Sequence, residues 1–191
     1  MDFEDLLSQV RNCTVCTEVL PLGPNPIVQV SAQSKIVIIG QAPGLKAHIS
    51  RIPWNDPSGI RLREWLGVTD EQFYDPDLFA LIPMGFCYPG KGASGDMPPR
   101  KECAPLWHHL LLEEMKEVRL VLLVGKYAQH YYLKNRQSLT ENIRHYADFL
   151  PQYFPLPHPS PRNFIWMNQN PWFGSEVLPD LRKLVKTALK I

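Results

Sequence analysis

Long apolar runs are missing from this 191-residue chain. None approaches the roughly 20 residues that a helix needs to cross a bilayer, so no membrane partner is expected. An excess of one charge is missing too: 20 Lys and Arg against 19 Asp and Glu leave a formal net charge of +1. A near-neutral total gives no overall pull toward nucleic acid, so such a partner has to be argued from local motifs. The basic-then-apolar layout of a signal peptide is absent, since MDFEDLLSQV is acidic and amphipathic. A cytoplasmic location follows as the expectation. There thiols stay reduced, so the four cysteines read as candidate ligands or nucleophiles before they read as disulfides. No internal repeat and no low-complexity segment is present.

Apolar residues at 45% and charged residues at 20% are ordinary for a globular chain. The length suits one domain spanning 1–191, able to bury a core without disulfides, and a monomer is the default expectation. Nineteen prolines are about twice the usual share, and they fall mostly in short connections, which predicts fixed loops rather than disorder. Lys35 to Ile39 and Leu120 to Val124 are continuous apolar runs, too short for helices and rich in strand formers; Leu78 to Met84 is a third and Phe154 to Leu156 a fourth. Helical patterns lie between and around them: residues 2 to about 11, Ser58 to Leu66 ended by Gly67, Pro105 to Met115, Tyr127 to Leu133 and Leu178 to Leu189. The alternation predicts an α/β fold, a three-layer αβα sandwich around a mostly parallel four-stranded sheet. Cys87 to Pro99 is rich in glycine and proline and reads as one long loop.

Ligands of open parallel sheets bind at the carboxyl ends of the strands. Gly40-Gln41-Ala42-Pro43-Gly44 follows the first run directly, a tight turn that exposes backbone N–H groups; taken alone it also serves as a plain strand-to-helix turn. Pro157-His158-Pro159-Ser160-Pro161-Arg162-Asn163 follows the last run, and its three prolines hold His158 on a stiff projecting loop; a loop histidine by itself is more often an incidental surface residue. Pro53-Trp54-Asn55-Asp56-Pro57-Ser58-Gly59 lies between them in sequence.

In this order the three segments resemble the motifs of the uracil-DNA glycosylase superfamily. GQAPG resembles the first motif, nearest to the GEAPG form of the iron–sulfur-bearing branch, family four. HPSPRN resembles the second, a minor-groove loop tipped by leucine or arginine. The IPWNDPSG segment resembles the one in which an aromatic stacks on a flipped base and Ser-Gly opens a helix. The resemblance implies a glycosylase acting on DNA, hydrolysing the N-glycosidic bond of uracil or another deaminated base. Under it His158 donates a hydrogen bond to the departing base, and Gln41 and Ala42 hold the base edge or a water. Trp54 stacks on the base, with core packing as its other reading, while Ser160 and Arg162 meet the DNA backbone or stack. Lys46, Arg51, Lys91, Arg100 and Lys101 are candidate phosphate contacts or ordinary solvated charges.

Two positions depart from the family pattern. The third position of the first motif, an acid or amide in the best known uracil glycosylases, is Ala42, as it is alanine in family four; it cannot activate water. Asp56 is the substitute, with His48 behind it, and Asp56 has helix capping as its competing role. The asparagine that reads uracil in the iron–sulfur branch, four residues before the third cysteine, is Pro83 here, which leaves hypoxanthine and xanthine open as substrates.

Cys13 and Cys16 form a C-x-x-C pair, and Cys87 and Cys103 complete the set. Four thiolates suit zinc or an iron–sulfur cluster equally, and buried packing is the alternative. The resemblance implies a [4Fe–4S] cluster with a structural role, with zinc as second choice. Three function classes remain: a glycosylase, a non-catalytic protein that binds damaged or single-stranded nucleic acid on the same scaffold, and a hydrolase of free nucleosides.

Overall fold

The apolar runs become strands because each residue in them has a buried partner on one face or the other. In the computed structural model, which describes residues 2–190, these are β1 (Ile36–Ile39) and β2 (Phe79–Leu81), then a small hairpin of β3 (Lys91–Gly92) and β4 (Gly95–Asp96), then β5 (Leu120–Val124) and β6 (Tyr153–Leu156). The main sheet runs β2-β1-β5-β6 and is parallel throughout. Ile36 stands opposite both Phe79 and Leu120, and Leu122 stands opposite Phe154.

Side chains alternate across the sheet, as pleating requires. Ile36, Ile38, Leu120, Leu122 and Val124 enter one core; Val37, Ile39, Val121 and Leu123 enter the other. The helices are α1 (Phe3–Arg11), α2 (Leu45–Ser50), α3 (Pro57–Leu66), α4 (Asp70–Phe73), α5 (His109–Glu114), α6 (Lys126–Leu133), α7 (Leu139–Arg144), α8 (Phe164–Gln169) and α9 (Leu178–Leu189). The first core is closed by α3, α7 and α9, the second by α1, α5 and α6. Leu178, Leu181, Val185 and Leu189 of α9 repeat at helical spacing and are all buried. Burying one such side chain contributes roughly 1.5–3 kcal/mol, so the two cores carry most of the stability. The result is the expected three-layer αβα sandwich.

Local signals account for the boundaries. Asp56 caps α3, its side chain accepting from the Gly59 N–H, with Pro57 at the first helical position and Gly67 left-handed past the end. A π-helical stretch, Ala104–His108, leads into α5. The structure departs from the sequence reading in the long loop and in four short helices, α2, α4, α7 and α8. The long loop contains the β3–β4 hairpin, which lacks any hydrophobic alternation. The short α7 carries a Ser138–Glu141 capping box but only about one and a half turns of pattern. No helix among the described residues is long and apolar enough to cross a membrane.

Candidate active site

The chain leaves β1 toward β2 on one side and returns to β5 on the other, so the sheet reverses order at β1. Strand-end loops part at such a switch point and leave a crevice. A cavity of about 440 Å³ opens there, within the roughly 300–1,000 Å³ of small-ligand sites. Gly40 to Gly44 line it after β1, Pro83 after β2, and His158, Ser160 and Arg162 after β6. Gln41 and His158 therefore face one pocket, joined by Ala42, Trp54 and Asp56.

His158 is held from several directions. Its Nδ1 accepts from the Ser160 N–H at 3.2 Å, and Asn163 Nδ2 donates to its carbonyl at 2.8 Å. Its Cβ packs near Gly125, which stands at φ 86 and has no side chain to intrude. With Nδ1 accepting, a neutral imidazole carries its proton on Nε2, which no group among the described residues engages. Burial pushes the pKa of His158 below its ordinary value, against a smaller opposing pull from Asp56. Neutral, fixed and with one free N–H, it is a preorganised donor.

Trp54 forms a wall. Its ring lies 5.8 Å from that of His158, 30° from parallel. Its backbone is left-handed at φ 57, which costs an aromatic residue on the order of 1–3 kcal/mol. Neighbours hold it there: Arg63 Nη1 reaches the Trp54 carbonyl at 3.5 Å, and the Tyr74 hydroxyl donates to the Pro53 carbonyl at 3.2 Å. Two glycines are demanded by this placement. A Cβ on Gly59 would lie 1.7 Å from the Trp54 oxygen, and one on Gly40 would lie 2.7 Å from the indole Cζ2. The indole packs against the first core, so wall and packing roles coexist.

Asp56 caps α3 through Oδ1, 2.8 Å from the Gly59 N–H, while still lining the cavity. His48 does not line it; its ring rests beside Tyr88 and its buried Nδ1 has no partner among the described residues. The β3–β4 hairpin contributes Ser94, Gly95 and Asp96, which the sequence did not single out. Arg162 ties the hairpin to the histidine loop, its Nη1 donating to the Ser94 carbonyl at 3.0 Å. Burial and the charge of Asp56 raise the pKa of Asp96, with Arg162 and Lys91 opposing. Pro83 reaches the cavity while its carbonyl is 3.1 Å from buried His108 Nε2. Of the candidate phosphate contacts, Lys46, Arg51, Lys91 and Lys101 are exposed, whereas Arg100 pairs with Glu102.

The cysteines meet elsewhere. Cys13, Cys16, Cys87 and Cys103 line one small apolar hole with Pro24, Phe86 and Arg100. Backbone N–H groups face two sulfurs: Asn25 to Cys87 at 3.4 Å and Phe86 to Cys103 at 3.5 Å. Burial raises both thiols, Cys103 to about 12, so as free thiols they stay protonated and only an added positive centre makes them thiolates. Among the described residues no three His, Cys, Asp or Glu side chains are grouped to hold a single metal ion. Four thiols thus share one hole, and two of their sulfurs accept from backbone N–H groups.

Comparison with known proteins adds two findings. A solution NMR structure of a candidate uracil DNA glycosylase from Methanosarcina acetivorans is similar over 82% of this chain and 94% of that one, at 16% identity and a TM-score of 0.48. The model of the family described as the uracil DNA glycosylase superfamily matches residues 27–182, which takes in all three motifs and the whole sheet. On that match, the protein belongs to the uracil DNA glycosylase superfamily.

Proposed function

We propose that the protein is a DNA glycosylase that hydrolyses the N-glycosidic bond of a deaminated base in DNA. One observation carries this reading: Gln41 and the free Nε2–H of neutral His158 border the same cavity. Cleavage leaves negative charge on the departing base and positive charge on the sugar. An Nε2–H fixed in advance stabilises that base anion without reorganising, and removing one such donor typically costs ~10²–10³-fold in rate. Stacking on Trp54 contributes roughly 1–3 kcal/mol to holding an extruded base. The Gln41 side chain offers a donor and an acceptor to a base edge. Arg162 and Ser160, at the rim, take the flanking backbone.

Base choice follows from Pro83. It presents a ring instead of an amide to the cavity, and its carbonyl is already engaged by His108. No side-chain amide at position 83 then reads uracil, so hypoxanthine and xanthine are substrates of equal standing. Ala42 and Pro83 also favour a second reading, a protein that binds a damaged base without cleaving it. Labelled oligonucleotides bearing uracil, hypoxanthine or xanthine, treated with alkali after incubation, separate the two. Strand breaks at the modified base support the glycosylase; a gel shift with no breaks on any substrate supports the binder.

The hole lined by Cys13, Cys16, Cys87 and Cys103 is the proposed seat of a [4Fe–4S] cluster. When bound, it supplies cross-linking rather than redox chemistry. The cysteines then join the segment after α1, the loop after β2 and the approach to α5.

A further inference from the structure

The superfamily motif leaves the water without an activating side chain at Ala42, and Asp56 spends one oxygen on the cap of α3. We propose that Asp96, on the β3–β4 hairpin, is the carboxylate that takes the proton of the attacking water, sharing that water with Asp56 across Gly44. The inference rests on the glycosidic-hydrolysis reading above and adds a residue to it.

The geometry centres on Gly44. At the position of a Cβ on this glycine, Asp96 Oδ2 is 3.5 Å away and Asp56 Oδ2 is 3.9 Å away. Two carboxylate oxygens from different elements thus flank one atom-sized space inside the cavity lining. A water close to that point reaches both after a small shift. The Asp96 carboxylate makes no hydrogen bond or ion pair within the protein among the described residues, so neither oxygen is committed, unlike Asp56. The charged and titratable groups around it are Asp56, Arg162, Lys91 and Tyr88, with His158 beyond Asp56. Its raised pKa makes it a better base than an ordinary aspartate, provided it is ionised. Arg162 fixes the hairpin over the pocket through Ser94, which explains how a residue on a two-residue strand is positioned at all.

The step balances. The water oxygen bonds to C1′ of the deoxyribose as the C1′–N bond breaks. The water proton passes to Asp96 Oδ2. The bonding pair leaves with the base, whose anion is held by His158 Nε2–H and then takes a proton from solvent. Free base and an abasic sugar bearing a 1′-hydroxyl result.

The test uses the full-length protein and single-turnover cleavage of whichever modified oligonucleotide the wild type processes. Binding to an oligonucleotide with a tetrahydrofuran abasic analogue is measured in parallel. Asp96→Asn is expected to lower the rate ~100-fold or more, within the span of general-base removal, with affinity changed less than about threefold. The wild-type rate rises with pH through the ionisation of the base and then levels; Asp96→Asn loses that rise and Asp56→Asn keeps it. Gly44→Ala meets only ordinary contacts and an extended backbone, so it folds normally, yet it fills the water position and lowers the rate at least ~10-fold. An Asp96→Asn rate within about threefold of wild type, or a rise with pH that survives in it and vanishes in Asp56→Asn, overturns the proposal in favour of Asp56. A wild type that cleaves no substrate overturns the hydrolase reading first, and this inference with it.

Discussion

Acid should destabilise this protein through one buried histidine behind the pocket. His108 is 2% exposed and stacks on Phe86 with ring centroids 5.6 Å apart. The Pro83 carbonyl only accepts, so His108 Nε2 donates to it at 3.1 Å, and Nδ1 then accepts from the Tyr132 hydroxyl at 2.6 Å. That chain fits a neutral ring and leaves no room for an imidazolium. Burial lowers the pKa from 6.5 to about 4, with the Pro83 contact opposing weakly. In the unfolded chain the ring takes its proton first as pH falls, so the native state binds fewer protons and loses stability from about pH 6.5 down to about 4. Linkage puts the loss between about pH 7 and pH 4.5 at about 2 kcal/mol. His108→Gln keeps a donor and an acceptor but cannot charge. Urea unfolding of both proteins at the two pH values isolates the effect, because His158, the carboxylates and the thiols cancel in the difference. The wild type should lose about 2 kcal/mol more than the variant. Equal losses would refute the reasoning.

Three further outcomes are expected. Gly40→Ala forces the indole of Trp54 aside by placing a Cβ 2.7 Å from Cζ2; since that indole also packs against the first core, the melting temperature should fall along with a ~10-fold or greater drop in kcat/KM. Arg162→Ala should weaken DNA binding, reduce the salt dependence of log K by about one, and speed amide exchange at residues 91–96 by removing the Ser94 tie. Protein purified without oxygen should be brown with a broad absorption near ~400 nm, lost on Cys87→Ser; colourless protein with stoichiometric zinc would contradict the cluster.

Much of the fold was legible because the main strands are buried on both faces, which leaves a continuous apolar signature in Ile36–Ile39 and Leu120–Val124. The long amphipathic α1 and α9 were equally plain. Short elements were not: α7 announces itself only through a capping box, and the β3–β4 hairpin has neither length nor alternation. The pocket was readable where proline and glycine stiffen the chain, at residues 40–44 and 157–163, since such loops have few conformations and sit at strand ends. Asp96 was invisible because its role depends on where a flexible-looking loop folds back, a fact set by the contact between Arg162 and Ser94. Asp56 was ambiguous for a physical reason, since one carboxylate both caps α3 and faces the cavity.

The central claim is that the fixed donor of His158 acts on a base leaving DNA. Its most direct test is chromatographic detection of free base released from modified oligonucleotides under single-turnover conditions, by wild type and by His158→Ala. Release by the wild type of uracil, hypoxanthine or xanthine, slowed ~100-fold or more in the variant with substrate binding retained, is the predicted result. Release at the same rate from both proteins would contradict it.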